Sequence, residues 1–321
     1  MQNSIFLVNK EPYCLWDPDL EARNNQFLKG LDADYFDYTI KVHLEAEDDQ
    51  RASVAFKLTL HHALETFFSL LGAYVQAPDC AYAWLTKCST EELRSLVLRI
   101  TKGDSGIFTK LGIHPVNWDT ISQSVFHTYM PGTERQAETI RLFSIMWKNL
   151  SDELNDPIHI DEYNALKHGF RVQRGGFGLS IGKQPSIGVP APDSEMKLLG
   201  KSDYGSSFFT VESLTPGIKT RSLRLSHTSV NWSIERIILL NQHVHISINN
   251  VITALRMING WPPSECKFLR PEENEDFDKP WTYTPKVMSM KWGKFADEQN
   301  AIPLTKEQIL AELASHEKTS P

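Results

Sequence analysis

Between Trp232 and Asn259 the apolar residues Ile234, Ile237, Ile238, Val244, Ile248, Val251, Ile252, Leu255 and Ile258 recur at spacings of three and four. That period builds a long helix with an apolar seam on one side, and so long a seam must be buried against other helices. Gly260-Trp261-Pro262-Pro263 ends it sharply. A second run of the same kind, from about Asp49 to Val75, presents Leu58, Leu64, Phe67, Phe68, Leu71 and Tyr74. Glu45, Glu47, Asp48 and Asp49 lie at or before its start, where they complement the positive end of the helix dipole. Ser89 with Glu92 reads as a capping box for a helix carrying Leu93, Leu96, Val97 and Ile100. Shorter helical patterns follow from Asp34 to Leu44, Thr133 to Leu154, Ile158 to His168 with Gly169 as its stop, and Lys306 to His316.

After Gly169 the period changes. Phe170 to Ile181 is hairpin-like, and Ser206 to Val211 and Thr220 to Leu225 alternate, so three to five strands are expected between 170 and 230. The expectation is a mainly α fold: a helical bundle with a small antiparallel β insert and an extended C-terminal tail. Its parts are an N-terminal arm (1–32), a bundle domain (33–260) with the β insert at about 171–230, and a tail (261–321) holding a short terminal helix.

Composition narrows the class. The 321 residues carry 33 Lys and Arg against 40 Asp and Glu, a formal charge of −7. Such a balance argues against a surface built to coat duplex DNA. Cys14, Cys80, Cys88 and Cys266 form no C-x-x-C pair, so neither a disulfide framework nor a zinc site of usual spacing is expected. No secretory signal or membrane-spanning run is read, and a cytoplasmic location is expected. No phosphate-binding loop, nucleophile elbow or zinc-protease helix is present, and no cofactor is expected.

Three polar groups interrupt the helical patterns. His62 and Glu65 lie one turn apart on the first long helix, with His61 above Glu65, so His61 or His62 with Glu65 makes a candidate acid–base pair or metal site. On the helix ending at His168, Asn164 and His168 share a face flanked by Lys167 and Arg171. The helix C-terminus there favours a protonated imidazole, and two cations beside it suit a phosphate or carboxylate. Asn241, His245 and Asn249 form a polar strip on the last helix that would face one of the other two groups.

The long helix with its His-x-x-Glu stripe, followed by a helix ending Tyr163-Asn164-Ala165-Leu166-Lys167-His168-Gly169, resembles bacterial helical-bundle proteins of the HEPN type, in particular a degenerate branch. The resemblance covers about 47–170 and 231–259, with Tyr163 standing where the family motif has Arg. Active members are RNases, many of them toxins or phage-defence effectors. The resemblance therefore implies a protein that binds RNA or a partner protein, as a homodimer, with His168 and Asn164 as catalytic groups and Lys167 and Arg171 as binding groups, and His245 of the polar strip is expected as a further binding residue. Two alternatives stay open. One is a non-catalytic structural or interaction protein. The other is a metal-dependent bundle enzyme using His62 and Glu65.

Overall fold

The computed structural model describes residues 2–168, 171–213, 222–293 and 304–317. The chain divides into two compact units, Met1–Tyr163 with Ser233–Thr284, and Asn164–Trp232 with Pro285–Pro321.

The first unit opens with an antiparallel hairpin of β1 (Gln2–Val8) and β2 (Glu11–Asp17), turned at Asn9 with φ of 56°. Its helices are α1 (Leu20–Gly30), α2 (Tyr35–Leu44), α3 (Asp49–Gln76), α4 (Ala81–Lys87), α5 (Thr90–Thr101), α6 (Trp118–Val125) and α7 (Glu134–Asn155). To these are added the greater part of α8 (Pro157–Lys167), α9 (Ile234–Ile258) and the short α10 (Lys279–Thr282). Side-chain caps fix the starts. Asp48, Ser89, Asn117, Thr133 and Ser233 each accept a backbone N–H in the first turn, and Ser89 with Glu92 forms the reciprocal box.

Two helices organise this unit. α3 packs most extensively against α9. Leu60, Leu64, Phe67 and Leu71 of α3 are buried, as are Leu240, Val244, Ile248, Val251 and Leu255 of α9. Phe143 and Trp147 of α7 complete the core, with the Phe67 and Trp147 rings 5.7 Å apart and Trp147 Nε1 donating to Ser247 Oγ at 3.0 Å. Gly72 is required by a close approach: a Cβ there would sit 2.4 Å from the Trp84 ring. Trp84 in turn donates to the Leu7 carbonyl at 3.0 Å, tying the hairpin to α3 and α4.

The polar residues that interrupt the α9 pattern serve backbone groups of neighbouring coil, of a short 3-10 turn and of the last turn of α1. Asn250 donates to the Leu269 carbonyl at 2.7 Å and accepts its N–H at 2.8 Å. Asn249 donates to the Lys267 carbonyl at 2.8 Å, and His243 Nε2 lies 3.0 Å from the Asp276 carbonyl. Arg256 donates to the Leu28 carbonyl at 2.9 Å. Each bond satisfies a group that has no ladder partner of its own. Residues 261–284, expected as part of a tail, thus belong to the first unit, where Phe277 is buried against Phe143.

The second unit contains a four-stranded antiparallel sheet in the order β3 (Val172–Arg174), β6 (Gly205–Ser213), β7 (Leu223–Asn231), β8 (Ser289–Gly293). A separate pair joins β4 (Gly178–Ile181) to β5 (Lys197–Lys201), and α11 (Lys306–Glu317) follows. Among the described residues helix accounts for 55% and strand for 17%, in three sheets. The fold is therefore mixed α/β, and the expected mainly α bundle with a small β insert is corrected. Two features hid the extra strands. The first hairpin turns through Asn9-Lys10 instead of an Asn-Gly pair, with Pro12 inside its second strand. The last strand, SMKWG, alternates but is only five residues long, and it takes its register from β7, which is distant in sequence.

Candidate functional site

The candidate residues read from the sequence fall into separate settings. His62 is exposed, with its ring 5.4 Å from Phe36. Glu65 faces elsewhere: Tyr163 Oη donates to it at 3.1 Å, and Arg94 lies 3.7 Å away. His245 is half-buried, with Nδ1 3.0 Å from the Ala33 carbonyl and Nε2 3.8 Å from Asp34. Asn241 donates to the Ile237 and Phe56 carbonyls at 2.9 and 3.4 Å. Asn164, Lys167, His168 and Arg171 belong to the second unit. Lys167, His168 and Arg171 are exposed there, and the Arg171 guanidinium donates to the Asn164 carbonyl at 3.3 Å. No hydrogen bond joins the side chains of Asn164 and His168. Among the described residues no three His, Cys, Asp or Glu side chains come together as a metal site.

The charged cluster that does form lies one ridge away on α3. Lys57, His61 and Glu65 stand at i, i+4 and i+8 and face α8. Lys57 Nζ is 3.3 Å from Glu162 and His61 Nε2 is 3.6 Å from it. The His61 ring stacks on Tyr163 at 5.0 Å and meets His159 edge-on at 6.0 Å. His159 approaches Glu153 at 3.5 Å, and Glu153 pairs with Arg236. The six formal charges cancel in three pairs: Lys57 with Glu162, Arg94 with Glu65, and Arg236 with Glu153.

Burial sets the protonation states. Desolvation first, then the Lys57 charge, hold the His61 imidazole down at about 4, and the same two causes push His159 well below its ordinary value. Both rings are therefore neutral at pH 7. Burial works against ionisation of Glu162, but Lys57 and His61 outweigh it, and the carboxyl stays far below the usual carboxylate range. Desolvation and then Glu65 raise the Tyr163 hydroxyl. Lys57 is 3% exposed and Glu162 0%, so no substrate reaches the centre of this cluster. Its chemistry is structural: paired charges that fix which faces of α3, α7, α8 and α9 meet. The sequence did carry a signal for it, a polar Lys57-x3-His61-x3-Glu65 row on an otherwise apolar helix. The ridge through His62 is about 100° away around the helix.

A different surface has the character of a binding site. On one face of the four-stranded sheet, alternate residues bring Phe209, His227 and Trp292 into a row across β6, β7 and β8. Val211 pairs with Leu225 beside them, and Ser213 with Leu223. Phe209 is 58% exposed, Val211 62%, Leu223 57%, Leu225 54% and Trp292 57%, and the Phe209 and His227 rings lie 4.7 Å apart. The opposite face buries Phe208, Thr228 and Val230 and pairs Glu212 with Arg224 and Lys291. The apolar face thus turns outward, which inverts the usual placement of an alternating strand. Among the described strand positions of this face none is Lys, Arg, Asp or Glu. Sequence reading expected strands in the region of β6 and β7, but not β8, and had no register with which to tell their faces apart.

No family model matches the chain, and neither a curated protein nor a solved structure matches it. No described helix is long and apolar enough to cross a membrane.

Proposed function

We propose that this is a non-catalytic interaction protein that pairs with a second copy of itself through the Phe209–His227–Trp292 face. The observation that carries the reading is the size and neutrality of that face. Five apolar side chains, each more than half exposed, leave on the order of 500 Å² bare, at the upper end of what a monomer shows. A stable interface takes about 800 Å² per partner, of which this face provides the apolar core. A chain of charge −7 repels its own copy over most of its surface. A face without formal charges is where two copies meet at least electrostatic cost. The first unit then acts as a rigid frame whose buried histidines are packing partners.

Sedimentation equilibrium tests this. The wild type is expected as a dimer, and Phe209→Asp with Trp292→Asp as a folded monomer with unchanged far-UV circular dichroism. A monomeric wild type, or a double variant that still dimerises, overturns the proposal.

A second reading rests on the exposed Lys167, His168 and Arg171, which suit an RNA phosphate. If His168 is the proton-transfer group of a nuclease, purified wild type cleaves single-stranded RNA and His168→Ala does not. Equal behaviour of the two removes this reading.

A further inference from the structure

Within the first unit a cleft of about 730 Å³ opens where the C-terminal ends of α3, α6 and α9 approach residues 111–114. Its size falls in the range of small-molecule sites. Tyr74, Val125 and Ala254 are buried beneath it, and Met257 stands half-buried at its side. These come from the helices that also carry the core, so the floor is held by packing that exists without any ligand. The Tyr74 hydroxyl and Ser124 Oγ bond each other at 2.8 Å, and burial pushes that phenol up to about 12, which keeps it a neutral hydrogen-bonding group. Gln123 and Thr128 stand exposed at the rim, and Thr128 already donates to the Met257 sulfur at 3.2 Å.

None of the fourteen lining residues is Lys, Arg, Asp or Glu. A ligand ion would leave water for a wall that offers no counter-charge, which is costly. Met257, half-buried at the side of the cleft, offers a favourable sulfur contact to an aromatic ring. We infer that this cleft binds a neutral, ring-bearing small molecule whose hydrogen-bonding groups meet Gln123, Ser124 and Thr128. All the residues of the cleft belong to the first unit.

Three probes of one shape separate the classes: 2-naphthamide (neutral), 2-naphthoate (anion) and 2-naphthylmethylammonium (cation). Binding to the full chain is followed by saturation-transfer NMR and calorimetry at pH 8. The neutral probe is expected to bind at least about tenfold more tightly than either ion, a difference of about 1.4 kcal/mol. Thr128→Trp, which fills the cleft from its exposed rim, is expected to weaken 2-naphthamide at least about tenfold by the same measure. Gln123→Trp serves the same purpose should the first variant misfold. Failure of 2-naphthamide to bind, tighter binding of either ion, or undiminished binding by both folded Trp variants overturns the inference.

Discussion

Lowering the pH should destabilise this protein well before its carboxylates titrate, because its buried histidines are held neutral. His61 has an ordinary value of 6.5 in the unfolded chain and about 4 in the fold. Between those values the unfolded chain binds a proton that the native state refuses. Stability is therefore full above 6.5 and falls as pH drops toward 4. The difference of 2.5 units corresponds to roughly 3 kcal/mol from this residue alone. The groups facing His61 are Lys57 on its own helix, Glu162, His159 and Tyr163 on α8, and Arg94 from α5. His159 shifts in the same direction, as does His243, which is buried between the Leu239 and Asp276 carbonyls. Near pH 5 His61 and His159 together should thus give a slope approaching about 2.7 kcal/mol per pH unit, just under one proton each at about 1.36. Glu162, held low, gives stability above its ordinary 4.5 that is lost only at more acid pH. The assay is urea unfolding followed by tryptophan fluorescence between pH 7.5 and 4.8. His61→Gln keeps a hydrogen-bonding side chain but cannot titrate, so its slope should fall by about 1.4 kcal/mol per pH unit. A stability profile flat from pH 6.5 to 5, or an unchanged slope in His61→Gln, would refute the argument.

Other perturbations have definite expected outcomes. Gly72→Ala drives a Cβ into the Trp84 ring and should cost about 2 kcal/mol, read as a lowered thermal midpoint; an unchanged midpoint would mean that the ring moves freely. Lys57→Met leaves the Glu162 carboxylate buried without its strongest partner and should cost about 3–5 kcal/mol. Adding Glu162→Gln should recover most of that loss, and a strictly additive double variant would show that the two residues do not act as a pair. Asn250→Ala removes both bonds to Leu269, so limited proteolysis should nick residues 266–277 faster than in the wild type.

The long helices were legible because their period and caps are local. The structure gives Asp49–Gln76 for the run read from Asp49 to Val75, and Ile234–Ile258 for that read from Trp232 to Asn259. Ser89 and Glu92 form the box that their spacing announced. What was not legible is set by partners distant in sequence. Choosing between the His61 and His62 ridges of α3 required knowing that α8 brings Glu162 and Tyr163 to the first of them. The polar strip of α9 was expected to face other polar side chains. It meets backbone carbonyls instead, of helices at Asn241 and of coil at His245 and Asn249, and coil of that kind has no period to read. On the sheet, alternation placed Phe209 on a strand, whereas His227 lies beyond the run read from Thr220 to Leu225 and Trp292 joins their row only through the pairing of β8 with β7. The candidate interface is thus a property of register, which single-strand patterns do not contain.

The first unit is discontinuous in sequence, and this bears on how the chain is made. Its residues up to Tyr163 leave the ribosome with the apolar faces of α3 and α7 bare, because α9 begins only at Ile234. The whole of 164–232 must be synthesised in between, which at ordinary elongation rates takes on the order of ten seconds. During that interval the nascent first unit is a natural client for chaperones. A chain truncated before α9 would remain one permanently.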